Sequence, residues 1–298
     1  MKNKRKVTLY STEFGYKAVF NAMASPCEVL INSTDKYIAK KVAHAVATEA
    51  WRIEDKYSRY LDTSVCSKIN ASNGDVVAID GETLKLLEFA KQCYNISNGL
   101  FDITSGVLRN AWKFDGSVNV PEKNQIAPLL SKVGFDKILL LANSITLQPG
   151  MEIDLGGIGK EYAVDTSLLI AKKLTDIPVL INFGGDISVS GKQYTDQPWH
   201  IGIDPPDFEN KQPLMVSING GSIATSGDAR RYLLKNGQRY SHILNPKTGF
   251  PLLNAPKSIT VAAPNCIQAG FIATLALLQG EYAENFLKKQ DIGHWCIW

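Results

Sequence analysis

Between Met151 and Leu174 the chain reads as a strand from Met151 to Leu155, a tight turn Gly156-Gly157-Ile158-Gly159, and a helix from Lys160 to Leu174 with Lys172 and Lys173 in its last turn. No other stretch constrains the fold as much. Glycines between a strand and a helix let backbone N–H groups approach an anion at the positive end of the helix dipole. The turn is not a GxxxxGK[ST] phosphate loop, because Glu161 follows Lys160, and it lacks the GxGxxG of dinucleotide folds. On spacing alone, a plain connection and an anion site are equally good readings.

The rest of the chain mixes helical and strand-like periods without regular strand–helix alternation, which favours an α+β fold of mixed or antiparallel sheets with packed helices over a doubly wound sheet. Thr34 or Asp35 caps a helix with Ile38, Val42, Val46, Ile53 and Tyr57 near one face. A second helix follows Gly81, with Leu84, Leu87 and Tyr94 as apolar positions, and stops near Ser97-Asn98-Gly99. Two apolar runs flank Ala142-Asn143 as a hairpin, and strands are expected over 179–183, 199–204, 215–219 and 258–263. A helix from Ile267 to about Leu278, a short helix from Glu281 and a strand-like tail close the pattern.

Hydrophobic residues are 45% and charged residues 20% of the 298, the mixture of a packed globular protein. That length forms one unit across 1–298, or two intimately packed lobes, with core enough to fold without disulfides. A formal net charge of +3 calls for neither nucleic acid nor a membrane surface. No run approaches the ~20 apolar residues of a membrane span. The basic run Lys2, Lys4, Arg5, Lys6 precedes a stretch broken by Thr8, Ser11, Thr12 and Glu13, so it does not read as a signal peptide. Cys27, Cys66, Cys93, Cys266 and Cys296 form no CxxC pair, which argues against a disulfide framework and a structural zinc site. A reducing, cytoplasmic compartment is the expectation, although a mature exported chain without its leader would read the same way.

Asn182-Phe183-Gly184-Gly185-Asp186 reads as a hairpin turn with Asp186 in a polar loop. The segments 225–231 and 240–249 place hydroxyls, a carboxylate, bases and His242 in two nearby loops, dense for mere punctuation. His242 is a general base, a phosphate donor or a hydrogen-bonded loop histidine. The other histidines, His44, His200 and His294, have no metal-ligating spacing, and Ser226 sits in no GxSxG.

In their order these segments resemble the FAD:protein FMN transferases, the ApbE-like flavin transferase family. Ala22 to Glu28 is similar to its N-terminal "MGT" segment, and Ser58-Arg59-Tyr60 through Ser64 and Asn70 to its "S-x-Y-x-x-x-S…N" block. Gly99 to Gly106 with Trp112 resembles "G-x-F-D-x-T…W", and Asp154 to Asp165 resembles "D-L-G-G-I-A-K-G-Y-x-x-D", with Glu161 in place of the usual glycine. Asn182 to Gly191, Ser226-Gly227-Asp228 and Ser241-His242 to Gly249 resemble the remaining blocks. The resemblance implies an ApbE-like, T-fold-related architecture and Mg²⁺-dependent transfer of the FMN half of FAD to a Thr or Ser hydroxyl of an acceptor flavoprotein, releasing AMP. It implies that Met23, Tyr60, Leu100, Phe101, Asp102, Asp154, Lys160 and Leu244 hold FAD, with Lys160 and His242 as catalytic candidates and Gly157, Ala273 and Thr274 at the metal.

One departure bears on the chemistry. The family block "A-D-x-x-A/D-T" reads Ala269-Gly270-Phe271-Ile272-Ala273-Thr274 here, so the threonine is kept and the carboxylate is not. Mg²⁺ prefers one or two carboxylates beside phosphate oxygens. Gly270 therefore either weakens the metal site or shifts its burden to FAD phosphates, water or another acid such as Asp228. The rival expectations are an FAD-binding protein with little or no transfer activity, and FAD hydrolysis to FMN and AMP.

Overall fold

The computed structural model describes residues 5–114, 119–194, 196–204, 213–227 and 232–298. Asp228, the alternative acid, lies outside these described residues.

Three strands open the chain, β1 (Thr8–Thr12), β2 (Gly15–Ala22) and β3 (Ser25–Ile31), followed by the helices α1 (Lys36–Tyr57) and α2 (Val65–Asn70). The short strand β4 (Val77–Ala78) leads into α3 (Gly81–Ile96), a 3-10 helix over Ile103–Asn110 and α4 (Lys123–Leu130). Then come β5 (Leu139–Leu141), β6 (Ser144–Thr146), α5 (Gly159–Leu174), β7 (Val179–Phe183), β8 (Asp186–Val189), β9 (Trp199–Ile203) and β10 (Leu214–Ile218). The chain closes with β11 (Gly221–Gly227), β12 (Tyr232–Lys235), β13 (Gln238–Ser241), β14 (Ser258–Ala263), α6 (Cys266–Leu277), α7 (Ala283–Lys289) and β15 (His294–Ile297).

Eight strands form one sheet in the order β1-β2-β3-β7-β8-β11-β14-β15, with antiparallel neighbours throughout. The α+β expectation holds. On one face lie α1, α5 and α6, sealing the main core. The ribbon β9-β10 covers part of the other face through Trp199, Ile201, Ile203 and Val216. Strand β7 shows why its sequence is a continuous apolar run: Ile181 and Phe183 enter the first core and Leu180 the second.

Helix α1 starts where Asp35 accepts hydrogen bonds from the N–H groups of Tyr37 and Ile38, and α3 where Asp80 accepts from Thr83. Small residues on α1, among them Ala39, Ala43 and Ala47, are fully buried and bring α5 close. Helix α6 is apolar almost all round because it is buried between α5 and the sheet. The expected hairpin around Ala142-Asn143 is β5-β6, with β4 as a third strand. No helix among the described residues is long and apolar enough to cross a membrane.

Two readings are corrected. Residues 151–155 are not a strand: the Ile153 N–H donates to Asn70 Oδ1 at 2.7 Å, its carbonyl accepts from Asn70 Nδ2 at 2.9 Å, and the Asp154 N–H donates to the Ile103 carbonyl. A side-chain amide thus satisfies the backbone groups that a neighbouring strand would otherwise pair. Nor is Asp186 in a polar loop. It is the first residue of β8 and is 2% exposed.

Candidate functional site

A cleft of about 1070 Å³ opens where the turn before α5, the 3-10 helix, the β2–β3 turn, the β7–β8 turn and the segment after β13 converge. Of the residues that the sequence singled out, Met23, Tyr60, Leu100, Phe101, Asp102, Asp154, Gly157, Lys160, His242, Leu244 and Thr274 all line it. Ala273 does not, being fully buried in the main core.

The turn before α5 meets the cleft with its helix end uncapped: Ile158 at the N-cap makes no side-chain hydrogen bond to the first turn. An open helix N-terminus is a ready partner for phosphate oxygens. Asp154 holds the turn, accepting from the Gly156 N–H at 2.9 Å through Oδ1 while Oδ2 pairs with Arg59 Nη1 at 2.7 Å. Gly106 must be glycine for this, since a Cβ there would stand 2.7 Å from the Asp154 Cβ. Arg59 also lies over the Tyr60 ring, 5.1 Å from its centroid, and donates to the Tyr60 hydroxyl. Burial would lower the Arg59 pKa, but the Asp154 charge, together with the hydrogen bond to Tyr60, outweighs it and leaves the guanidinium raised. Sequence reasoning gave Arg59 no role. Its position beside Tyr60 in the matched block was the signal available.

Lys160, the second residue of α5, places Nζ 2.8 Å from Asp186 Oδ2. Burial alone would lower the lysine's pKa; the charges of Asp186 and Glu161 reverse that and raise it. Glu161 is 8% exposed, and its Oε2 has no hydrogen-bond partner among the described residues. Burial raises the carboxyl groups of both Glu161 and Asp186, against the opposing charge of Lys160. A Cβ on Gly270 would lie 2.7 Å from both Cγ and Oε1 of Glu161, so the glutamate side chain already fills the space beside α6. Thr274 follows one turn later and donates to Ser226 Oγ at 2.9 Å. Asp165 fixes α6 against α5 by accepting from the N–H groups of Cys266 and Ile267.

At the rim, Met23 and Ala24 form the two-residue turn between β2 and β3 with φ of 51° and 55°. Such a turn favours Asn-Gly, and each side chain bearing residue at positive φ costs about 1 kcal/mol. The conformation is held by Glu54, whose Oε1 accepts from the Met23 N–H at 2.7 Å. Phe101 meets Phe271 edge to face, and the Phe101 ring would lie 3.4 Å from a Cβ on Gly157. The Asp102 carboxylate caps the 3-10 helix, accepting from the N–H and hydroxyl of Thr104. His242 is half-buried, edge-on to Phe114, which stacks on Trp112.

Residues 23–297 match the ApbE family. The FAD:protein FMN transferase of Haemophilus influenzae is 32% identical over 245 residues, covering 77% of this chain and 70% of that protein. The protein of the same name from Klebsiella pneumoniae is 30% identical over 270 residues, covering 88% and 81%. Among solved structures, the ApbE protein of Thermotoga maritima superposes with a TM-score of 0.85 at 26% identity, covering 98% of this chain and 94% of that one. The flavin transferase ApbE of Vibrio cholerae has a TM-score of 0.81 at 23% identity and shares the fold.

Proposed function

The chain belongs to the ApbE family, and from that premise we propose that it transfers the FMN half of FAD to a Thr or Ser hydroxyl of an acceptor flavoprotein, releasing AMP. The observation that carries this reading is the meeting of Lys160, the uncapped end of α5 and the Arg59–Asp154 pair in one cleft with aromatic and apolar walls. A dinucleotide needs both halves of that arrangement: charge for its pyrophosphate and flat apolar surface for its rings.

The acceptor oxygen forms a new bond to the phosphorus of the FMN half, and the bridging P–O bond breaks. AMP departs with that electron pair, and the hydroxyl proton passes to a base. Little covalent help from the protein is required, since positioning and charge compensation supply most of the rate in phosphoryl transfer. Lys160 and the first-turn N–H groups of α5 compensate the phosphate charge, Met23, Leu100, Phe101 and Leu244 exclude water around the flavin, and Tyr60 with Arg59 offers a stacking surface at the mouth. His242 is the base in this reading, because its imidazole lines the cleft with the ring edge-on to Phe114.

Mg²⁺ fits this site by its donors. The buried oxygen Glu161 Oε2 lacks a partner among the described residues, and the Thr274 hydroxyl and the Gly157 backbone line the same cleft. Hard oxygen donors of this kind suit Mg²⁺. When bound there, the ion would neutralise pyrophosphate charge as it develops on the leaving group.

The test is to incubate the protein with FAD and MgCl₂, with and without an acceptor flavoprotein, and to separate the nucleotides chromatographically. AMP appearing with the acceptor, and no FMN without it, is the expected result. FMN and AMP in equal amounts without acceptor would instead establish hydrolysis, and tight FAD binding without AMP under either condition would establish a binding protein.

A further inference from the structure

The geometry points to Glu161 as the carboxylate of a divalent-cation site shared between α5 and α6, in place of an acid at position 270. This deepens the proposed function and rests on it for the identity of the substrate.

Three independent observations converge on it. First, charge in the cleft floor is unbalanced. Asp186 takes Lys160 at 2.8 Å, and the Glu161 carboxylate, also buried, is left with an oxygen that no described donor reaches. A buried carboxylate oxygen without a donor is expensive unless a cation or proton meets it. Second, the Glu161 side chain stands in the volume that a side chain on Gly270 would need, with Cγ and Oε1 both 2.7 Å and Cδ 3.0 Å from the Cβ position. The glutamate at 161 therefore goes with the glycine at 270: the two positions share one space, and in this chain the carboxylate that enters it comes from α5 and not from α6. Third, Gly270 and Thr274 are four residues apart on α6 and share a face, so a carboxylate over Gly270 neighbours the Thr274 hydroxyl. That hydroxyl gives its proton to Ser226, which leaves its oxygen lone pairs available for a cation. Asp165 locks the two helices in this arrangement through the backbone N–H groups of Cys266 and Ile267.

The experiment measures cation binding itself, on flavin-free protein, by the loss of the free Mn²⁺ electron paramagnetic resonance signal. Glu161→Gln should weaken Mn²⁺ binding at least ~10-fold, the loss of one charged donor of a hard cation. Gly270→Asp alone should lower the Tm, because its Cβ and the Glu161 side chain compete for one space. The double variant E161G/G270D should recover both Tm and Mn²⁺ binding to within a few-fold of the parent. Unchanged Mn²⁺ binding in Glu161→Gln, or a folded double variant that binds Mn²⁺ no better than Glu161→Gln, would overturn the assignment. Because no flavin or acceptor is present, Mn²⁺ binding that depends on Glu161 in a protein that never releases AMP would uphold the assignment and contradict the transferase reading alone.

Discussion

Lys160 Nζ and Asp186 Oδ2 lie 2.8 Å apart, tying the first turn of α5 to the start of β8 at the floor of the cleft. The pair serves two ends, since Asp186 is 2% exposed and requires a cation, while the lysine head also faces the cleft. Lys160→Met should cost on the order of 3 kcal/mol, because it strands a buried carboxylate. In the double variant K160M/D186N stability should return while FAD affinity stays at least ~10-fold reduced, as read by thermal melts and flavin fluorescence titration. Restored FAD affinity in the double variant would assign Lys160 to the fold alone.

Arg59 joins Asp154 to Tyr60, and its planar guanidinium both pairs and stacks. Arg59→Lys keeps the charge and loses the fork, so it should behave nearly as badly as Arg59→Ala in FAD binding. Tyr60 is 70% exposed, so Tyr60→Ala should leave the Tm nearly unchanged while weakening FAD binding by about 1 kcal/mol, measured by calorimetric titration.

The Met23–Ala24 turn stores backbone strain at the rim of the cleft. Replacing the two by Asn-Gly should raise stability by about 1 kcal/mol, seen as a higher urea midpoint, and should weaken FAD binding because the Met23 side chain is gone. A more stable variant with unchanged flavin affinity would mean that the strain is unrelated to the site.

Acid stability should depend on Glu82, which joins α1, α3 and α5 through Arg52, Lys56 and Tyr162. The hydrogen bond from Arg52 leads the causes that hold its carboxyl down to about 2, despite partial burial. A depressed carboxyl stabilises the fold above its unfolded value of about 4.5 and loses that contribution as pH falls through the folded value. Melts between pH 4.5 and 2 should therefore show a steeper loss of stability for the parent than for Glu82→Gln.

The parts of the fold legible in sequence were those with strong local chemistry. Asp35, Asp80 and the apolar periods of α1 and α3 mark those helices without help from the rest of the chain. The opening hairpin was missed for a physical reason: two of the three inward residues of β2 are Ala18 and Ala22, a faint apolar period, and Met23-Ala24 is not a turn sequence. Residues 151–155 read as a strand because apolar Met151, Ile153 and Leu155 alternate with Glu152 and Asp154; that Asn70 would complete their hydrogen bonds is a tertiary fact. In the site, glycines and a lysine before a helix pointed to the cleft floor, and Glu161 and Gly270 each stood out as departures from the family pattern. That they compensate one another was invisible, because α5 and α6 meet only in space.

The most direct measurement combines the purified protein with FAD, MgCl₂ and an extract of Escherichia coli lacking its own FAD:protein FMN transferase. Proteins are then separated on a denaturing gel and viewed by flavin fluorescence, with the E. coli enzyme as the positive control. The expected result is a fluorescent band that survives denaturation, appears only with FAD and Mg²⁺, and is accompanied by AMP. A band with the E. coli enzyme but none with this protein, at any Mg²⁺ concentration and without AMP release, would contradict it.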